Sequence, residues 1–250
     1  MALWRFTNDK TMSRSFFNRS KVSMDAYVCC PGPSLKFLNP EVLNKPNVLK
    51  VALNNAYPYV RPDVWFGMDD PRCYNRQIFW EPFIKIMRGG YQDRQCEGRD
   101  LGECFNLYYA DCAEDPDLET IFTTDEDIKF LWRGNVVATA IHVILWMGIK
   151  KIYLLGCDLS LNKGAYYNEN IKLSEQAKLT NSRLYKELVD FWRDFSELSP
   201  KYGVEVVSCT ADSRLNDFIP YLPVEVALDR TKNTYKIPTG GKLFHSKELS

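Results

Sequence analysis

The sequence predicts an α/β fold, a doubly wound, mostly parallel sheet with helices on both faces, and three observations carry that prediction. Short, nearly continuous apolar runs recur along the chain, as in Ala26-Tyr27-Val28-Cys29-Cys30 and Ile152-Tyr153-Leu154-Leu155. Longer segments with helical spacing separate several of them. The runs end in Gly, Pro, Asn or Asp. A strand buried on both faces reads as an unbroken apolar run, and helices between such strands imply parallel crossovers.

Each element follows from its residues. Residues 26–30 read as a first strand, stopped by Pro31-Gly32-Pro33; Ser34 can cap a helix over 35–43. Residues 48–53 read as a second strand, ended by Asn54-Asn55. Residues 63–68 read as a third, ended by Asp69-Asp70-Pro71, and 105–109 as a weaker strand. Residues 135–147 have helical composition, with Gly148 as a stop. Residues 151–155 form a strong strand ended by Gly156-Cys157-Asp158. Apolar residues at Leu184, Leu188, Phe191 and Phe195 place a helix within 173–198, and 204–209 is a last strand. The division expected is an N-terminal extension over 1–25, a single nucleotide-binding domain over 26–229, and a polar C-terminal arm over 230–250.

Composition narrows the function. Thirty-two basic residues balance 32 acidic ones in 250, which disfavours a dedicated nucleic-acid binder. The longest apolar stretch, 136–147, is shorter than the ~20 residues of a membrane span. Eight cysteines show no C-x-x-C pair, so the expectation is a reduced, cytoplasmic protein whose Cys29, Cys30, Cys157 and Cys209 pack as small apolar residues. Residues 1–21 lack the apolar centre of a signal peptide.

In a parallel sheet ligands bind outside the carboxyl ends of the strands. That rule would bring Gly32-Pro33-Ser34, Asn54-Asn55, Asp69-Asp70 and Gly156 with Asp158 to one edge. A helix start after Gly32 offers backbone N–H groups to a phosphate; short amides suit a base, ribose or phosphate; and the carboxylates would suit Mg²⁺, though no spacing requires it. Each motif also has a plainer role. Gly-Pro-Ser is a common turn, Asn-Asn ends strands, Asp69-Asp70-Pro71 makes an exposed turn, and Asp158 can cap. Arg133 could pair with a phosphate or carboxylate, or with a surface acid. Tyr166 and Tyr167 follow Gly164 in a loop beside the expected edge. His142 reads as a core histidine and His245 as a solvated one. The aromatic run Phe191, Trp192 and Phe195 reads as core or as a contact between copies in a homo-oligomer.

Taken in order, Gly32-Pro33-Ser34-Leu35, Asn54, Arg133-Gly134, the run 152–158 and Ser213-Arg214-Leu215 resemble the bacterial sialyltransferases of the lipooligosaccharide type and the flagellin nonulosonate glycosyltransferases. The same motifs are similar to the archaeal hydroxymethylpterin pyrophosphokinase-like domain. The resemblance covers about residues 26–222 and implies a Rossmann-like nucleotide site. In the sialyltransferases the donor is CMP-sialic acid and no metal is required. On the matching positions the resemblance implies Gly32 and Ser34 by the phosphate or ribose, Asn54 on the nucleotide, Tyr166 at the departing phosphate and Arg133 near the reacting groups. Partners would be a nucleotide or nucleotide sugar and a small-molecule or glycan acceptor.

Three departures stand against it. Pro31 replaces an asparagine of the glycine-rich loop, Ser160 replaces a second tyrosine, and the general-base histidine, falling near 180–182, has no counterpart. Asp69 or Asp70 would have to serve as the base, since losing one costs ~10²–10⁴ in rate. A pyrophosphokinase-like enzyme would instead hold Mg²⁺ on Asp69, Asp70 and Asp158. A non-catalytic nucleotide-binding or assembly module would need no base.

Overall fold

The computed structural model describes residues 3–6, 12–17, 24–57, 59–96, 98–114, 117–125, 127–161, 167–168, 173–231 and 244–248. Its centre is a ten-stranded sheet. In chain order the strands are β1 (Leu3–Phe6), β2 (Met12–Phe17), β3 (Asp25–Cys29), β4 (Val48–Leu53), β5 (Val64–Gly67), β6 (Ile84–Arg88), β9 (Leu107–Ala110), β12 (Lys151–Leu155), β13 (Glu205–Ser208) and β14 (Phe244–Glu248). Two small ladders accompany it: β7 (Gln95–Cys96) with β8 (Arg99–Asp100), and β10 (Cys112–Ala113) with β11 (Phe130–Leu131). The sheet order is β13-β12-β3-β4-β5-β6-β9-β1-β2-β14. From β13 to β9 every pairing is parallel, and from β9 to β14 every pairing is antiparallel. The mostly parallel α/β architecture read from the sequence is the one observed.

The parallel strands are apolar on both faces because both are covered. On one face α1 (Val136–Trp146) and α2 (Glu175–Leu198) lie over Val28, Val51, Phe66, Ile152 and Val206. All eleven residues of α1 are buried, as expected of a helix apolar all round. Its two polar side chains satisfy one backbone unit: Thr139 Oγ1 donates to Leu131 O (2.7 Å), and His142 Nδ1 accepts from Leu131 N–H (2.9 Å). Burial lowers the His142 pKa to about 3, so the ring is neutral. Ser174 caps α2 by accepting from Ala177 N–H, and the helix buries Leu188, Phe191, Trp192 and Phe195 against the core. The aromatic run therefore faces inward and offers no contact between copies.

The other face is covered differently from the expected pattern. The seven-residue α3 (Val224–Arg230), short 3₁₀ turns and stacked aromatic rings close it, including Tyr27 on Tyr153 with centroids 4.6 Å apart. The helix expected over 35–43 is two 3₁₀ turns, Pro33–Phe37 and Pro40–Leu43. Pro40 has no N–H to continue a helix, and it biases Asn39 to extended backbone (ψ 109°). β6 leaves no continuous apolar run in the sequence, because Lys85 and Arg88 interrupt it. Lys85 is fully buried and donates to the carbonyls of Glu81 (2.6 Å) and Phe83 (3.0 Å); burial lowers its pKa to about 8.

Segments expected to flank the domain join its sheet. β1 and β2 come from the 1–25 extension and β14 from the 230–250 arm. Leu3 and Trp4 are buried, with Trp4 stacked on Tyr109 at 4.8 Å. Among the described residues, no helix is long and apolar enough to cross a membrane.

Candidate functional site

A cavity of about 310 Å³ opens at the carboxyl ends of β3, β4, β5 and β12, on the α1–α2 side. Gly32, Pro33, Asn54, Asp69, Gly156 and Asp158 all line it, so the strand ends singled out in the sequence do share one rim. Asn55 and Asp70 are not among its lining residues, nor are Ser34 and Arg133, although Trp132 and Gly134 are. Tyr166 lies outside the described residues. Tyr167 itself lies beside the rim, donating its N–H to Pro31 O (3.0 Å).

The turn after β3 is not a vacant phosphate cradle. Ser34 donates both its N–H (3.2 Å) and its Oγ–H (2.8 Å) to Asp158 Oδ2, and Gly32 N–H donates to Gly156 O (3.0 Å). The anion on this turn is Asp158 itself. Gly32 is needed because a Cβ there would run into the Asp158 carboxylate and the Gly156 carbonyl. Gly156 is needed twice over: its φ is +65°, and a Cβ would strike Cys30 O. Beneath this bridge lie the buried thiols of Cys30 and Cys157; their mutual hydrogen bond, reinforced by burial, pushes the Cys30 thiol well up. The bridge also separates the cavity from a second one of about 430 Å³ on the opposite face, between Leu35, Cys209, Tyr221 and Val224.

The ends of β4 and β5 are arranged otherwise. Asn54 sits in the left-handed region (φ +47°), which asparagine tolerates better than most residues. Trp65 Nε1–H fixes its carbonyl at 2.8 Å. Its Oδ1 accepts from Tyr74 Oη–H at 3.1 Å, and the residue lines the cavity. Asp69 N–H donates to the same Tyr74 oxygen at 2.9 Å. Asp69 as a whole is exposed, yet desolvation of its carboxyl at the rim raises it above its ordinary value, against the opposing pull of Tyr74 and Arg88.

Asp70, one residue on, is the reverse. It caps the next turn through Arg72 N–H and takes both Arg72 guanidinium bonds at 2.8 Å; the Arg72 bond pulls its pKa down to about 2. A carboxylate ion-paired in this way is a poor proton acceptor, so the Arg72 pairing separates the two candidate bases. Asp69, Asp70 and Asp158 do not assemble into a cation site either. Among the described residues no group of three or more His, Cys, Asp or Glu side chains could hold a metal ion.

Two features escaped the sequence reading. The start of α1, capped by Asn135 accepting from Val137 N–H (2.7 Å), opens onto the cavity with Gly134, Asn135, Val136 and Val137 in its wall. Its first-turn amides supply the positive helix end that the turn at Gly32 lacks. The second is the Trp65–Tyr74 pair behind Asn54 and Asp69; an aromatic residue acting through backbone groups leaves no motif. Thr180 and Asn181 of α2 line the cavity where the resemblance would put a histidine, and Ser160 lines it where a tyrosine would stand.

No family model matches this chain. No curated protein matches it either. Among solved structures it is similar to the sialyltransferase CstII from Campylobacter jejuni in complex with the substrate analogue CMP-3FNeuAc, at 16% identity and a TM-score of 0.44. It is similar to the same protein with cytidine-5'-monophosphate, at 17% and 0.45, and to CST-II with a trisaccharide acceptor and CMP, at 16% and 0.42. Each comparison covers 80% of this chain and 86% of the other.

Proposed function

We propose that this chain is a glycosyltransferase of the sialyltransferase-like kind, taking an acidic sugar from a CMP-activated donor. The observation that carries the reading is the convergence of Asn54, Asp69 and the start of α1 on one cavity at the ends of parallel strands. The donor phosphate sits at the first turn of α1, where backbone N–H groups and the helix dipole favour negative charge. The Asn54 Nδ2 amine donates to the nucleotide. An acceptor hydroxyl attacks the anomeric carbon; the new C–O bond forms as the bond to the phosphate oxygen breaks, and CMP departs with the bonding electrons. Asp69, replacing the missing histidine, takes the hydroxyl proton. Its raised pKa suits that role, because a base closer to working pH transfers protons more effectively.

The resemblance of the strand-end motifs, Gly32-Pro33-Ser34-Leu35, Asn54 and 152–158, to those of the sialyltransferases supports the CMP donor. A magnesium-dependent phosphoryl transfer, with Asp69 or Asp158 and the nucleotide phosphates sharing the ion, is the second reading. Thermal-shift titration decides between them. The proposal expects stabilisation by CMP or CDP without metal. Stabilisation by ATP with Mg²⁺ and by no cytidine nucleotide overturns it. A chain that binds CMP but turns over no CMP-activated acidic sugar is a binding module.

A further inference from the structure

We propose that Tyr74 is a positioning residue whose single hydroxyl proton links Asn54 to Asp69, so that the set of the Asn54 amide follows the charge on Asp69. The inference rests on the glycosyl-transfer reading for its catalytic meaning, though not for the link itself.

Tyr74 Oη is the meeting point of three groups. It accepts from Asp69 N–H at 2.9 Å, and it lies 3.1 Å from Asn54 Oδ1 and 3.4 Å from Asp69 Oδ2. A phenol has one proton to give, so the two oxygens compete for it. Distance favours Asn54, while charge favours an ionised Asp69, since charge-assisted hydrogen bonds are the stronger kind. The ring cannot drift to relieve the competition. Tyr74 is 6% exposed and meets Trp65 edge-on at 4.9 Å and 89°, while Trp65 itself holds the Asn54 carbonyl. Asn54 is thus gripped at its backbone by Trp65 and at its side chain by Tyr74.

The proton count gives the coupling a direction. Burial, then the neighbouring Asp69 charge, pushes the Tyr74 phenol upward, so it keeps its proton throughout the working range. While Asp69 is ionised, the proton is shared towards its carboxylate and the Asn54 amide is less tightly set. Once Asp69 has taken a proton, the Tyr74 proton goes wholly to Asn54 Oδ1, and Nδ2 is held towards the cavity. The other charged or titratable groups near Asp69 are Arg88 from β6, Cys73 in the following turn, the Asp70–Arg72 pair, and Asp158 across the cavity. None of them touches both Asn54 and Asp69.

The test is a ¹³C NMR titration of the Asp69 carboxyl in the full chain, with and without Tyr74→Phe. Losing a donor to the charged form raises a carboxyl pKa, and one hydrogen bond corresponds to a rise of about 0.5–1 pH unit. The expected result is that rise, with an unchanged melting temperature to within a few degrees. In the unaltered protein the Asn54 side-chain amide resonances should move with the Asp69 titration, and in Tyr74→Phe that co-titration should vanish. An Asp69 midpoint unmoved by Tyr74→Phe overturns the link. If Tyr74→Phe does not fold, the unaltered protein decides: an Asn54 amide indifferent to the Asp69 titration overturns it, and co-titration upholds it. Failure of CMP to bind the unaltered protein would remove the transfer reading and leave these NMR outcomes as they stand.

Discussion

The two halves of the cavity rim use the same residue types to opposite ends. On the β3–β12 side, Gly32, Ser34, Gly156 and Asp158 spend their polar groups on one another. On the β4–β5 side, Asn54 and Asp69 are held by Tyr74 and Trp65, and both residues line the cavity. Both halves contain a carboxylate at a strand end: Asp158 gives its Oδ2 to Ser34 twice, while Asp69 meets the Tyr74 hydroxyl only at 3.4 Å. Position at a strand end nominates a residue; its remaining hydrogen bonds decide whether it can serve a ligand.

Four substitutions or titrations test that division. Asp69→Asn should lower sugar transfer by ~10²–10⁴, the usual scale for loss of a general base, with the melting temperature kept. Asp70→Asn should leave turnover within about twofold. The reverse ranking in a steady-state assay would exchange the two roles. On the closed half the damage should appear in stability. Gly156→Ala places a Cβ at positive φ and against Cys30 O, and should cost about 2–4 kcal/mol in urea unfolding. Asp158→Asn leaves Ser34 with a weaker acceptor and should cost about 1–2 kcal/mol without weakening CMP binding. A large loss of affinity would place Asp158 on the ligand side of the comparison.

The smallest effect near neutrality is the acid limb of stability. Burial depresses the His142 pKa from 6.5 to about 3. Its contribution is present above pH 6.5 and is lost as pH falls towards 3, because the unfolded chain then binds a proton that the folded ring refuses. The slope is about 1.4 kcal/mol per pH unit within that window. Asp69 carries the opposite sign: with its folded pKa raised, its contribution is present below the unfolded value and lost as pH rises through the folded one. Urea unfolding of His142→Gln between pH 4 and 7 should lack the histidine slope.

What could be read without coordinates follows the same physics. β4 and β12 have the bounds expected, 48–53 and 151–155, because unbroken apolar runs have few alternatives. β6 was hidden by Lys85, whose charge is accommodated by carbonyls that only the fold assembles. Asn54, Asp69 and Asp158 were legible because the sheet places strand ends together. That Ser34 would bond Asp158, and that Arg72 would pair with Asp70, could not be read, since each depends on a side-chain distance.

The antiparallel flank has a practical corollary. Five strand-to-strand steps separate β5 from β14, and at ~4.8 Å per step that border lies about 24 Å from the cavity wall. A fluorophore or solid support attached at β14 would leave the opening facing bulk solvent, so binding could be followed on the tethered protein without occluding its mouth.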